Sequence, residues 1–177
     1  MSSSTGALLL TVALTAGIAG PEKPSLPQTV VAAALKKAHC TIPANEADVI
    51  GTERLGHRLE LVELTCWRGA YNAASILFAV PDDRTQDARL LTVERWQDGR
   101  LQPSYSVSSP GYDRATQTLS SNHKARGAGD CGTIEEWQWT GWHFQLLNVW
   151  NKDRCDGEPF EWESRDKWQV FPKRAAR

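Results

Sequence analysis

The sequence predicts a mainly β (α+β) domain: an antiparallel β meander carrying one N-terminal amphipathic helix and two disulfides. Three observations predict it. From Arg58 onward apolar residues recur with a period of two, the spacing of strands. One segment alone, around residue 30, has a helical period. Four cysteines fall into two local blocks of chain, Cys40 with Cys66 and Cys131 with Cys155.

Met1 to Gly20 contains no charged residue, and Ala7 to Ala19 is an apolar stretch of signal-peptide length, too short to span a bilayer. Gly17 and Ala19 stand where a cleavage site has its small residues, and Pro21 breaks the segment. The positive start of a signal peptide is missing. Residues 1–20 are expected to be a signal peptide or apolar N-terminal segment, 21–27 a Pro-rich linker, and 28–177 one disulfide-stapled domain. That places the chain in the periplasm or outside the cell, with no stable membrane insertion after signal removal.

Ser25-Leu26-Pro27-Gln28 has a capping-box pattern. Val30, Val31, Ala34, Leu35 and Ala38 follow on one helical face, with Lys36 and Lys37 near the end that the helix dipole favours. The helix is expected to end near His39 and Cys40. Leu59 to Cys66 then reads as a strand, Trp67 to Asn72 as a turn, and Ile76 to Val80 as the return strand. Leu90–Trp96 and Leu101–Val107 read as a hairpin turning at Asp98-Gly99. Ala115–Ser121 is a further strand. Six of the eight tryptophans lie from Trp137 to Trp168. Trp137 and Trp139 share one strand face; after a Thr140-Gly141 turn, Trp142, Phe144 and Leu146 share the next. A small β domain needs such aromatics as core, with His143 and Gln145 then facing outward. Asp156-Gly157 marks a last turn before Trp162, Trp168 and Val170.

An even cysteine count in an exported chain reads as disulfides, and locality pairs Cys40 with Cys66 and Cys131 with Cys155. Each loop, about 25 residues, contributes roughly 3 kcal/mol in the chain-entropy model.

Certain functions are disfavoured. The formal net charge of −1 lacks the basic excess of a phosphate-binding groove, so nucleic acid is not an expected partner. No C-x-x-C pair and no H-x-x-x-H spacing among His39, His57, His123 and His143 supports a metal, and no cofactor is expected. The carboxylates of Asp153, Asp156 and Glu158 lack the ordered ligands of a calcium loop and read as a solvated turn. A Ser with His123 or His143 and Asp130 could be imagined as a nucleophilic triad, but no nucleophile elbow accompanies it.

Three blocks carry a resemblance. They are Cys66-Trp67-Arg68-Gly69-Ala70-Tyr71-Asn72, then Lys124-Ala125-Arg126-Gly127-Ala128-Gly129-Asp130-Cys131, then Glu136-Trp137-Gln138-Trp139-Thr140-Gly141-Trp142-His143-Phe144. Together they resemble the bacterial envelope family known as domain of unknown function eleven-seventy-six, over roughly Cys40 to Pro172. Thr140-Gly141 stands where that family has Asp-Gly. The resemblance implies export and an unassigned biochemical role.

The candidate binding surface is Arg68, Tyr71, Asn72, Arg126, Asp130 and His143. The Cys66–Asn72 and Arg126–Cys131 segments are irregular, contain glycine and an arginine, and each abuts a half-cystine. They are expected to lie together, with an arginine clamping Asp130. The alternative is that these side chains only satisfy loop backbone groups. The expected function is a non-catalytic envelope module that binds a protein, peptide or glycan, for example an inhibitor of a wall-degrading enzyme. A hydrolase of envelope polymers and a structural or stress-stability protein are the other readings. The oligomeric state is not encoded in any motif.

Overall fold

The computed structural model describes residues 25–172. The apolar N-terminal segment and most of the Pro-rich linker lie outside the described residues. The elements are helix α1 (Gln28–Lys37) and strands β1 (Val49–Gly56), β2 (Leu59–Arg68), β3 (Ala73–Pro81), β4 (Arg89–Leu90), β5 (Val93–Gln97) and β6 (Arg100–Ser104). Then come β7 (Ser106–Ser108), β8 (Gly111–Asp113), β9 (Thr118–Lys124), β10 (Gly132–Trp139), β11 (Phe144–Lys152) and β12 (Gln169–Phe171). The fold is the expected antiparallel β assembly with one N-terminal helix and two disulfides, arranged as two meanders. One sheet runs β1-β2-β3-β4 with β7 also on β3; the other runs β12-β11-β10-β9-β8; β5 and β6 pair separately.

The layers follow from burial. β2 and β3 are covered on both faces. Val62, Leu64, Ile76, Phe78 and Val80 pack under Val31, Ala34 and Leu35 of α1. Leu61, Leu77 and Ala79 face the second sheet, meeting Leu119, Trp137, Trp139, Phe144 and Leu146. A strand buried on both sides reads as a continuous apolar run, which is the pattern of Ala74–Val80. The tryptophan pair of β10 is core, as expected.

The helix starts later than its capping-box pattern indicates. Pro27 is the N-cap, with no side-chain cap bond. The reason is steric: a residue preceding proline is pushed out of the helical region, so Leu26 cannot begin the helix. It packs into the core instead. The C-terminus closes as a Schellman motif. His39 takes φ 54°, its N–H reaches the Lys36 carbonyl, and the Cys40 N–H reaches that of Leu35. This geometry delivers Cys40 to Cys66, with Cα atoms 4.7 Å apart. Cys131 and Cys155 are likewise joined, 4.9 Å apart. Both pairings are those read from locality, and they indicate an oxidising, non-cytoplasmic compartment.

Other elements differ from expectation. The Asp98-Gly99 turn forms with both residues at positive φ, as a type I′ turn requires. Its return strand breaks after Ser104, however, and Ser106–Ser108 crosses to pair with β3. The strand expected at 115–121 begins instead at Thr118. The Asp113 carboxylate accepts the N–H groups of Ala115 and Thr116 and holds those residues in a turn. Trp142 is not core: the Thr140 N–H bonds the His143 carbonyl at 3.0 Å, which puts Trp142 in the turn, 69% exposed, under the Arg89 guanidinium. A 3-10 turn, Trp162–Trp168, covers part of the second sheet where no helical period is visible.

Candidate functional site

The two irregular motif segments meet. Asn72, almost fully buried, straddles the backbone of Lys124: its Nδ2 donates to the Lys124 carbonyl at 2.7 Å and its Oδ1 accepts the Lys124 N–H at 3.0 Å. Both backbone groups fix which way the amide points. The Tyr71 hydroxyl donates to the Ala125 carbonyl at 3.4 Å. Arg126 grips Asp130 through two hydrogen bonds, Nε to Oδ1 at 2.6 Å and Nη2 to Oδ2. Asp130 is 4% exposed and also accepts the Gly157 N–H at 2.6 Å. The Arg126 guanidinium foremost, helped by that N–H, holds the Asp130 carboxyl well below the usual carboxylate range. Gly132 has a separate steric reason. A Cβ there would sit 2.0 Å from the His123 carbonyl oxygen, so no larger residue fits where β10 passes β9.

Of the six candidate surface residues, Tyr71, Asn72, Arg126 and Asp130 therefore come together. Arg68 does not join them; it points to Thr65 Oγ1 at 3.4 Å and lies 3.9 Å from Asp48. His143 sits in the turn at the far end of β10, a strand of eight residues, and roughly 25 Å lies between such strand ends. Asp130, Cys131 and Cys155 bring ligand-type atoms within 4.8 Å. The two sulfurs are bonded to each other and the carboxylate is held by Arg126, so this donor set does not suit a metal. The acidic turn also disperses: Asp156 pairs with buried Lys152 at 2.5 Å and Glu158 pairs with Lys167.

Beside these joined loops lies a polar cleft of about 400 Å³. Trp67 from the first motif, Thr133 just after the second, and Trp96 form parts of its wall; Arg95, Ser106, Ser108 and His123 supply polar lining, and Gln97 and Asp98 of the hairpin turn also border it. Behind the cleft is Glu135, fully buried on the inner face of β10. Its carboxylate accepts Arg95 Nε at 2.7 Å, the Trp96 N–H at 2.7 Å and Ser121 Oγ at 3.5 Å. These bonds, with the Trp137 indole N–H on the Glu94 carbonyl at 2.8 Å, dock the β5–β6 hairpin onto the second sheet. The ion pair thus ties the hairpin wall to the second sheet. Burial pushes the Glu135 carboxyl up from its ordinary value, against the opposing pull of Arg95.

His123 and Ser108 complete the arrangement. Ser108 Oγ lies 3.2 Å from His123 Nδ1 and 3.5 Å from Arg95 Nη1. Arg95 can only donate, so it takes one lone pair of the Ser108 oxygen; the hydroxyl keeps its proton and a second lone pair for His123 Nδ1. With Ser108 donating, the imidazole proton is on Nε2; with His123 donating, it is on Nδ1. Burial, then the Arg95 charge, lowers the His123 pKa, favouring the neutral ring. Arg95 Nη2 carries no hydrogen bond to the described residues. The cleft thus sets a guanidinium and an imidazole between indole walls.

Sequence reasoning weighed His123 but missed Arg95, Ser108 and Glu135, which come from three different strands. One signal was available. Glu135 alternates with Trp137 and Trp139 on the core face of β10, where a charge demands a buried partner.

A family model described as "Protein of unknown function (DUF1176)" matches residues 11–171. The chain is similar to "Uncharacterized protein YpfG" of Escherichia coli (strain K12), 24% identical over 112 residues. That match covers 63% of the chain and 31% of the relative, so the chain corresponds to about a third of it. No solved structure matches.

Proposed function

The chain belongs to the DUF1176 family of proteins of unknown function, and from that premise we propose that it is a periplasmic or secreted, non-catalytic binding module that takes a peptide in the Arg95–His123 cleft. The observation that carries this reading is the Arg95 guanidinium beside the His123 imidazole in one cleft. With the His123 proton on Nε2, the tautomer this reading takes, the two suit an acceptor-rich group, a peptide carboxylate or carbonyl, held between Trp67 and Trp96. The anionic Glu135 is screened from the ligand because Arg95 and the Trp96 N–H take up its oxygens. Titration with tri-alanine, followed by tryptophan emission and amide shifts, tests it. Saturable shifts at Trp96 and Thr133 are expected. Tri-alanine amide or a His123→Leu variant should bind about tenfold more weakly, the equivalent of about 1.4 kcal/mol. Absence of any saturable change with the free peptide overturns the reading.

One contact favours a hydrolase instead: a hydroxyl against an imidazole, Ser108 to His123. Two features weigh against it. Ser108 is 3% exposed and its oxygen is shared with Arg95. Asp130, the acid a triad would use, is already gripped by Arg126 and the Gly157 N–H. A fluorophosphonate probe separates the readings. Labelling at Ser108 establishes the nucleophile; an unlabelled protein that still binds peptide supports the binding module.

A further inference from the structure

We infer that the outer face of the second sheet holds a separate carbohydrate site, a trough that seats a neutral pyranose ring against Trp162. The trough encloses about 540 Å³ and lies apart from the peptide cleft. Its floor is Thr118, Ser120 and Glu136, outward-facing positions of β9 and β10; Tyr112 and Asp113 of β8 form one wall and Trp162 the other.

The wall is rigid for a reason. Arg165 lays its guanidinium 4.2 Å from the Trp162 ring centre and 4.5 Å from that of Trp150. The same guanidinium reaches Glu136 at 3.6 Å, tying wall to floor. Arg165 occupies one face of the indole, yet Trp162 remains 37% exposed and borders the trough. An indole fixed in this way offers a flat apolar face at no further ordering cost.

The floor supplies the complementary polar half. Glu136 is oriented by Asn148 Nδ2 at 3.0 Å and keeps acceptor positions free, since a carboxylate has about four. Asp113 commits Oδ1 to its turn, and Ser120 and Thr118 each carry a hydroxyl. A pyranose ring presents an apolar C–H face with hydroxyls around its edge, which matches one aromatic wall and a floor of acceptors and hydroxyls. A phosphate or other anion would meet two carboxylates, while a metal ion would find Glu136 already paired with Arg165.

The probes are neutral trisaccharides: chitotriose, cellotriose and maltotriose at millimolar concentration. The readout is the tryptophan indole N–H region of a nitrogen–proton correlation spectrum. At least one sugar should shift the Trp162 signal saturably. Trp162→Ala should weaken binding at least tenfold, while Trp142→Ala, at a more exposed indole outside the trough, leaves it unchanged. Should Trp162→Ala lose its native circular dichroism, Ser120→Gln, which fills the floor, must produce the same loss. His123→Leu should leave sugar binding intact, so the trough and the peptide cleft fail independently. No saturable shift with any of the three sugars, or binding that survives both trough variants, overturns the inference.

Discussion

The clamp around Asn72 and Asp130 and the cleft around Arg95 and His123 lie side by side, but they use their polar groups differently. In the clamp the buried side chains, Asn72 and Asp130, are committed to the loops themselves. Asn72 replaces a strand partner for Lys124, and Asp130 satisfies Arg126 and the Gly157 N–H. In the cleft the partners are arranged in series, with Glu135 on Arg95, Arg95 on Ser108 and Ser108 on His123, and Arg95 Nη2 makes no hydrogen bond to the described residues. The family-like motif residues thus build the scaffold. The groups with unused bonding capacity come from positions that no motif marks.

The sharpest way to break that comparison is Glu135→Ala. It leaves the Arg95 guanidinium, itself nearly buried, without its counter-charge and frees the β5–β6 hairpin. Breaking a buried pair on one side costs about 3–5 kcal/mol. Urea denaturation should show that loss, with Glu135→Gln retaining more stability because its amide oxygen still accepts a bond. A loss below about 1 kcal/mol for Glu135→Ala would mean the pair does not hold the hairpin.

The second test acts on the clamp. Asn72→Ala removes two hydrogen bonds that an almost fully buried amide makes to the Lys124 backbone, at about 1–3 kcal/mol. Because Asn72 does not line the cleft, peptide affinity per folded molecule should hold while thermal stability falls. The reverse pattern, stability kept and affinity lost, would move the binding site into the motif loops. Asp130→Ala should behave like Asn72→Ala and should additionally raise proteolytic sensitivity near Gly157, whose N–H it holds.

Short separation along the chain made the disulfides and the Arg126–Asp130 pair legible. The Asn72–Lys124 contact, 52 residues apart, was expected instead from two irregular segments that each abut a half-cystine, a mark that Arg95, Ser108 and Glu135 lack. Cys40–Cys66 and Cys131–Cys155 each close a short local block, and the Arg126–Asp130 pair spans four residues. Arg95 and Glu135 are forty residues apart, and only sheet packing brings them together. Period-two patterning recovered β2, β3, β10 and β11, whose buried faces are mostly apolar, Glu135 of β10 being the exception. It missed β1, an edge strand in which Gly51, Glu53 and Arg54 dilute the alternation, and β8, which is three residues long. Trp142 was assigned to the wrong side because a four-residue turn, rather than the two residues of Thr140-Gly141, closes β10 on β11.

The smallest expected effect is in pH, and it tests whether the cleft holds His123 neutral. His123 has its pKa lowered from 6.5 by burial and by the Arg95 charge. A lowered histidine pKa means that the unfolded chain binds the proton first as pH falls. The stability associated with neutral His123 is therefore complete above about pH 6.5 and declines as pH drops toward the folded value. Glu135 works in the opposite sense: its raised pKa means the folded state protonates first, so stability recovers between the folded value and 4.5. Asp130, lowered by Arg126, weakens the clamp only below about 3.8, outside the histidine window. Urea midpoints at about pH 7.5 and about pH 5.5 isolate the first effect when wild type is compared with His123→Gln. Wild type should lose more stability over that interval than the variant, by less than either loss above. Parallel curves would show His123 to be solvated in the folded state. The imidazole would then be partly charged near neutrality, with Nδ1 protonated and unable to accept the Ser108 proton.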